Sequence, residues 1–338
     1  MAVYYVRPDG NNANTGLADT AAGAWATVKY ALQFATNGVV LNGDTINVVA
    51  DQGAYTENAI TIDRALIVKG LRGVATVDGT GGGAGSDIIT HGVNASFFNF
   101  LVKNAVDKGY AWTGSIALFR LCGATGCGGA GFYRTHGSYA TRYCYARANG
   151  IGFQEDSAGL THDYFMCEAG DNTSHNFMGG DANTNCNNCL SYDSGGDALN
   201  LLTAPGINST ICNNTFDGCV DGLDTAGTPS AGSLFLNNNI SNMSGVGAKA
   251  VGLGTQVSNY NNFYGNGTDR TNWPTGANDT ASDPLFVSAS TDDYTPGSGS
   301  PLIQTGYTPF KSPNKLNMGA VVQNPGGGGS STNATFVS

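Results

Sequence analysis

The feature that most constrains this chain is a regular beat in its cysteines. Cys122, Cys144, Cys167, Cys189 and Cys212 follow one another at intervals of 22, 23, 22 and 23 residues, so five of the eight cysteines share one register. Five residues after each register position stand Cys127, Asn149, Asn172, Ser194 and Asp217, followed by Gly128, Gly150, Thr173, Gly195 and Gly218. A small polar residue followed by glycine is turn chemistry. Asn, Asp and Ser bond their own backbone, and glycine tolerates positive φ. Extended past the cysteines, the register places Asn239 five residues before Ser244-Gly245, and Asn261 five before Asn266-Gly267. The longer interval between Cys212 and Asn239 holds a loop, TAGTPSAG at 225–232. A third column, about ten residues after the register, is apolar: Phe132, Phe153, Phe177, Leu199 and Leu223.

A unit this short cannot bury its own apolar face and must stack on its neighbours. Helical repeats run to about 33 residues or more, and leucine-rich repeats need regularly placed leucines that are absent here. The expected fold is therefore all-β: a single-stranded parallel β-helix with one coil per repeat and about 4.8 Å between coils. Composition agrees. The 338 residues include 50 Gly and 35 Asn, with 41% hydrophobic and only 12% charged. That supplies many turns between short buried strands. It excludes a disordered chain, which would carry more charge and fewer aromatics. It also excludes collagen and helical bundles.

The ends of the repeat carry a resemblance. Tyr4-Tyr5-Val6-Arg7-Pro8-Asp9-Gly10-Asn11-Asn12-Ala13-Asn14-Thr15-Gly16, then Ala24-Trp25-Ala26-Thr27-Val28 and Gly43-Asp44-Thr45-Ile46, resemble the opening of right-handed β-helices of the pectate-lyase-like superfamily. The closing stretch is similar to the same group: Asp283-Pro284-Leu285-Phe286-Val287, Gly299-Ser300-Pro301-Leu302-Ile303 and Asn317-Met318-Gly319-Ala320. The resemblance covers about residues 3–323. It implies the right-handed β-helix and an N-terminal capping helix, but not one activity, because the superfamily holds lyases, hydrolases, tailspikes and non-enzymatic surface proteins. The expected organisation is an opening strand and capping helix over 1–43, with Trp25, Val28, Leu32 and Ala35 at helical spacing. Coils follow over 44–267, then a closing segment over 268–323 and a Gly-rich arm over 324–338.

The site residues follow from the register. His175, Asp197 and Asp221 stand eight or nine residues after their register positions, with Asp193 and Asp224 close by. Carboxylates one coil apart would be about 5 Å apart and two coils apart about 9.6 Å, separations at which glycosidases pair an acid with a base or nucleophile. The competing reading makes Asp197 and Asp221 turn formers in the phrases Gly196-Asp197-Ala198-Leu199 and Val220-Asp221-Gly222-Leu223. The cysteines lack zinc spacing, and i and i+3 on a strand face opposite sides, so no metal is expected at Cys186 and Cys189. Buried thiols are expected instead, with cross-coil disulfides open. A pectate-lyase mechanism, in which calcium and an arginine act on an acidic sugar, is discounted. Arg134, Arg142 and Arg147 have no matching aspartates, and the net charge of −10 opposes polyanions. Tyr133, Tyr139, Tyr143 and Tyr145 could stack on sugars, with about half expected to point inward.

From these residues the expected role is a structural virion surface protein, a phage capsid decoration (cement) or short spike. It would be assembled as a homotrimer on capsid or other virion proteins, with no cofactor, no assigned catalytic residue, no nucleic acid and no membrane insertion. Thr335, Phe336 and Val337 would form the partner-binding arm. Neither a secretion signal nor, with the opening motif at residue 3, a separate head-binding domain is expected. The alternative is a glycan-degrading tailspike or a polysaccharide lyase or hydrolase acting through His175, Asp197 and Asp221 on a surface glycan.

Overall fold

A computed structural model describes the chain except Ser115 and residues 136–137, 157–161, 180–183, 203–208 and 304–338. The expected arm at Thr335, Phe336 and Val337 lies outside the described residues. The fold is an all-β solenoid of about nine turns, with coils of about 23 residues, three parallel sheets and almost no helix. Two units divide the chain, Met1–Leu160 and Thr161–Ser338. No helix among the described residues is long and apolar enough to cross a membrane.

In the first unit the opening strand Val3–Val6 pairs in parallel with Thr45–Val49, which in turn pairs with Leu66–Leu71. The expected capping helix is two short pieces. Helix α1 (Val28–Leu32) is capped by the Thr27 hydroxyl, which accepts the Tyr30 N–H. It ends at Gln33, whose backbone is extended (φ −109°, ψ 102°), and α2 (Phe34–Asn37) restarts beyond it. Trp25 is buried beneath them and stacks on Tyr4 with 4.8 Å between ring centres.

The apolar column falls where its spacing places it. Phe132 pairs with Phe153, Phe177 with Leu199, and Leu199 with Leu223, all buried. Tyr110, Phe132 and Phe153 stack in turn at 4.8 Å. Each such ring contributes about 1.5–3 kcal/mol from burial and about 0.5–1.5 kcal/mol from stacking.

The register is corrected in two places, at Cys212 and at Asn239, which pairs with Thr215 and so stands one residue past its rung. Cys122 lies beside Cys144, and Cys167 beside Cys189, because Gly123 pairs with Tyr145 and Glu168 with Leu190. Cys212, however, pairs with Asn187. The residue beside Cys189 is Asn214, whose Oδ1 accepts the Cys189 N–H at 2.8 Å. The column then continues through Asn238 and Asn261. The backbone marks the same column. The residue before each rung has positive φ: Leu121, Tyr143, Met166, Asn188, Asn213, Asn237 and Tyr260, all at 51–58°. This left-handed step costs about 1–2 kcal/mol for a non-glycine residue. It turns the chain sharply from one sheet into the next, and the side chain of the following rung then bonds the neighbouring coil.

The glycine column has a different cause from the one expected. Gly128, Gly150 and Gly195 do not have positive φ, whereas Gly218 does, at 65°. At the first three a Cβ would collide with the carbonyl oxygens of Val106, Gly128 and Thr173 in the preceding coil, so close approach is what requires glycine. Ser244, not Gly245, makes in its coil the bond that Gly150, Gly195 and Gly267 make to the coil before.

All eight cysteines are free thiols and only Cys212 is not fully buried. Burial pushes the thiols of Cys127, Cys212 and Cys219 up to about 11. Tyr133, Tyr143 and Tyr145 are all half-buried, so none points fully inward as half of the set was expected to do; the Tyr139 side chain is outside the described residues. Arg134 is in the interior beside Glu155 (Nη1 to Oε1 3.9 Å, both fully buried), which removes it from any surface contact with an acidic sugar.

Candidate functional site

The second unit carries the strands Leu199–Leu201, Leu223–Thr225 and Val246–Ala250 side by side in one parallel sheet. Strand alternation sends Leu199, Leu201, Leu223, Thr225, Ala248 and Ala250 inward, where all are buried. The residues between them, Asn200, Asp224 and Lys249, stand in register on the outer face. The turn leading into this sheet stacks His175, Asp197 and Asp221 one coil apart. The Asn176 N–H donates to the Asp197 carbonyl, and the Ala198 N–H to that of Asp221. The three residues singled out from the sequence are thus brought together, and Asp224 joins them.

The carboxylates converge. One oxygen each from Asp197, Asp221 and Asp224 lies within 4.8 Å of the others. Asp197 and Asp221 are each only 6% exposed. Asp221 is held at both ends. Its Oδ1 accepts the Val246 N–H at 2.6 Å, and its Oδ2 lies 2.5 Å from Lys249 Nζ. Lys249 Nζ also lies 3.2 Å from Asp224 Oδ2. A Cβ on Gly245 would strike Asp221 Oδ1, so that glycine keeps room for the carboxylate. Asp197 Oδ2 accepts from Asn200 Nδ2 at 2.5 Å. The Asp197 N–H donates to His175 Nδ1 at 3.1 Å. An acceptor Nδ1 puts the ring proton of neutral His175 on Nε2. The 3.4 Å approach of Nδ1 to Asp197 Oδ2 is then a contact between two acceptors, which protonation of the ring would turn into an ion pair.

Burial raises the carboxyl of Asp197 above its usual range. Asn200 and His175 oppose the rise, and the charges of Asp224 and Asp221 add to it. Burial lowers Lys249, but its bonds to Asp221 and Asp224 more than offset this and leave its pKa raised. Three carboxylates against one ammonium leave the cluster short of about two positive charges.

A divalent cation of the kind that a pectate-lyase mechanism uses fits this donor set. The donors are all hard carboxylate oxygens. Their mutual spacing, within 4.8 Å, does not exceed the span of a shell of radius about 2.3–2.6 Å, as calcium takes. Calcium needs 6–8 oxygens, so three residues leave positions for water and for a ligand's own carboxylate.

Sequence reasoning found His175, Asp197 and Asp221, and noted Asp224 only as a neighbour. It missed Lys249 and Asn200. The signal was present in the column that runs through Asn214 and Asn238, on which Asn200, Asp224 and Lys249 all fall ten or eleven residues after their rungs.

No protein-family model matches the chain, and no curated protein matches it. Among solved structures the chain is similar to the pectate lyase Pel9A, with a TM-score of 0.67 and 16% identity over 96% of this chain and 97% of that one. A rhamnogalacturonan lyase aligns over 80% of this chain and 75% of its own, at 13% identity and a TM-score of 0.46. At these identities the likeness to Pel9A shows the parallel β-helix fold alone.

Proposed function

We propose that this protein is a polysaccharide lyase that cleaves a uronate-containing glycan by β-elimination at the Asp197, Asp221 and Asp224 cluster. The observation that carries this reading is the convergence of three carboxylates and one amine, Lys249, on the outer face of a β-helix. A hydrolase would need a carboxylic acid and a separate carboxylate base or nucleophile. Here Lys249 is paired with two of the three carboxylates but offsets only one of their charges, and the set is better suited to holding a cation beside a nitrogen. The virion-scaffold role expected from the sequence draws no support from the likeness to Pel9A.

In this reaction the proton on the carbon next to the sugar carboxylate leaves, a C=C bond forms, and the C–O bond to the leaving sugar breaks. A divalent cation, when bound, would supply the positive charge that pairs with the sugar carboxylate and acidifies that C–H. Asp197, Asp221 and Asp224 would hold it. Asn200 orients Asp197, and the Val246 N–H orients Asp221. Lys249, in the same row as Asp224, would supply the nitrogen that accepts the proton, once a bound cation has freed it from Asp221 and Asp224 and it has given up its own proton to solvent. His175 presents its Nε2–H as a donor to the departing oxygen. The acidic protein, with its net charge of −10, would meet a polyanion through the cation.

The test is incubation with polygalacturonate, alginate and hyaluronan, with calcium or with a chelator, followed by the ultraviolet absorbance of unsaturated uronate. Unsaturated ends formed with calcium and suppressed by chelator support the reading. New reducing ends without unsaturation would replace it with hydrolysis.

A further inference from the structure

We infer that Lys249 is a tethered counter-ion that occupies the place of the divalent cation, so that cation entry and expulsion of Lys249 from the carboxylates are one event. This rests on reading the Asp197, Asp221 and Asp224 cluster as a cation site. Lys249 Nζ lies 2.5 Å from Asp221 Oδ2 and 3.2 Å from Asp224 Oδ2. These residues supply two of the three converging carboxylates, so the ammonium stands where an ion bridging them would stand. Two positive centres cannot share that space at about 3 Å without strong repulsion.

The remaining partners are arranged for exchange. Asp197 is not bonded to Lys249; it is held by Asn200, whose amide need not move when the occupant changes. Asp221 keeps its Val246 N–H bond through Oδ1, so its carboxylate stays aimed when Nζ departs. The Lys249 side chain is 32% exposed and sits on the outer face, and its four-carbon stem gives it somewhere to swing. The preformed site is therefore partly neutralised by its own ammonium without a cation and becomes a cation-plus-amine site with one. The device lowers cation affinity, and it prevents the amine from reaching substrate until the cation is in place.

The test is calcium titration by calorimetry of the wild type, Lys249→Met and Lys249→Arg. The expected result is calcium binding at least tenfold tighter in Lys249→Met, and not in Lys249→Arg, which keeps a tethered charge. Equal or weaker binding in Lys249→Met overturns the counter-ion role while leaving the cation site standing. No binding in any of the three proteins overturns the cation site itself, and with it the premise. Because Lys249→Met could disturb folding, a second measurement uses the wild type. Acetylation of Lys249 is followed by mass spectrometry, with exposed Lys69 as internal reference. Calcium should accelerate labelling of Lys249 several-fold and leave Lys69 unchanged; no acceleration contradicts expulsion.

Discussion

The two units meet one backbone problem with different atoms. At each corner the chain takes a left-handed step, and the next residue's N–H must find a partner inside the stack. In residues 1–160 this column uses sulfur, the Cys122 N–H meeting Cys144 Sγ at 3.4 Å, while the corner after Gly126 already uses an amide, the Cys127 N–H donating to Asn149 Oδ1 at 3.0 Å. In residues 161–338 the column passes from Cys167 and Cys189 to Asn214, Asn238 and Asn261, and amide oxygens accept at 2.8–3.0 Å. Each amide also donates: Asn214 to the Cys186 carbonyl, Asn238 to Ile211 and Asn261 to Phe235. A thiol fills the corner as a small apolar body with a weak acceptor, whereas an amide stitches three coils. The units differ in their charges as well. The first buries the ion pair of Arg134 and Glu155 where no substrate reaches, and the second sets Asp224 on an outer row beside Lys249, with Asp197 and Asp221 in the turn that leads into it. The shared corner geometry builds the scaffold, and the residues between corners decide whether a coil carries chemistry.

The largest expected effect falls on the amide column. Asn238→Ala strips an acceptor from the Asn214 N–H and a donor from the Ile211 carbonyl, both buried. It should cost about 3–5 kcal/mol in urea unfolding of the second unit. A loss below about 1 kcal/mol would mean that the amides are no more than packing.

The next effect concerns pH. Burial, foremost, raises Asp217 to about 6 from its ordinary 3.8, against the bonds it accepts from Ser241 and Asn242. The folded state holds this proton more tightly than the unfolded state. The stability it contributes is fully present below about pH 4 and is lost as pH rises through about 6. Asp217→Asn should remove that loss and stabilise the protein above pH 7 by up to about 3 kcal/mol, with little change at pH 4. Equal effects at both pH values would contradict the assignment.

The smallest effect belongs to the thiol column. Cys144→Ala should cost about 1–2 kcal/mol through the space it leaves, and Cys144→Ser less. A cost as large as that of Asn238→Ala would erase the distinction between the two columns.

Much of this was legible in the sequence, and the lapses have physical causes. The beat of the cysteines and the apolar column disclosed the coil length and the inward face, because stacked like residues must recur in phase. The column slipped at Cys212 because the coil after Cys189 is longer, and because cysteine and asparagine both answer a buried N–H. Cys212 continued the pattern by type, but Asn214 continues it by geometry. That two-residue slip, with the one-residue slip from Asn238 to Asn239, hid the shared phase of Asp224 and Lys249, and Lys249 read as one charge in the small-residue run VGAKA. His175, Asp197 and Asp221 remained visible because they follow local turn phrases that do not depend on the distant register. Glycine identity was visible but its reason was not, since close approach between coils leaves no local mark.

The central claim is that the chemistry resides on the outer row of the second unit. It is tested most directly by the rate of unsaturated-product formation from a uronate polysaccharide with calcium, for the wild type, Lys249→Ala and the first-unit variant Cys144→Ser. The account expects Lys249→Ala to be at least about 100-fold slower than the wild type, and Cys144→Ser to match it. Cleavage by Lys249→Ala at the wild-type rate would contradict it.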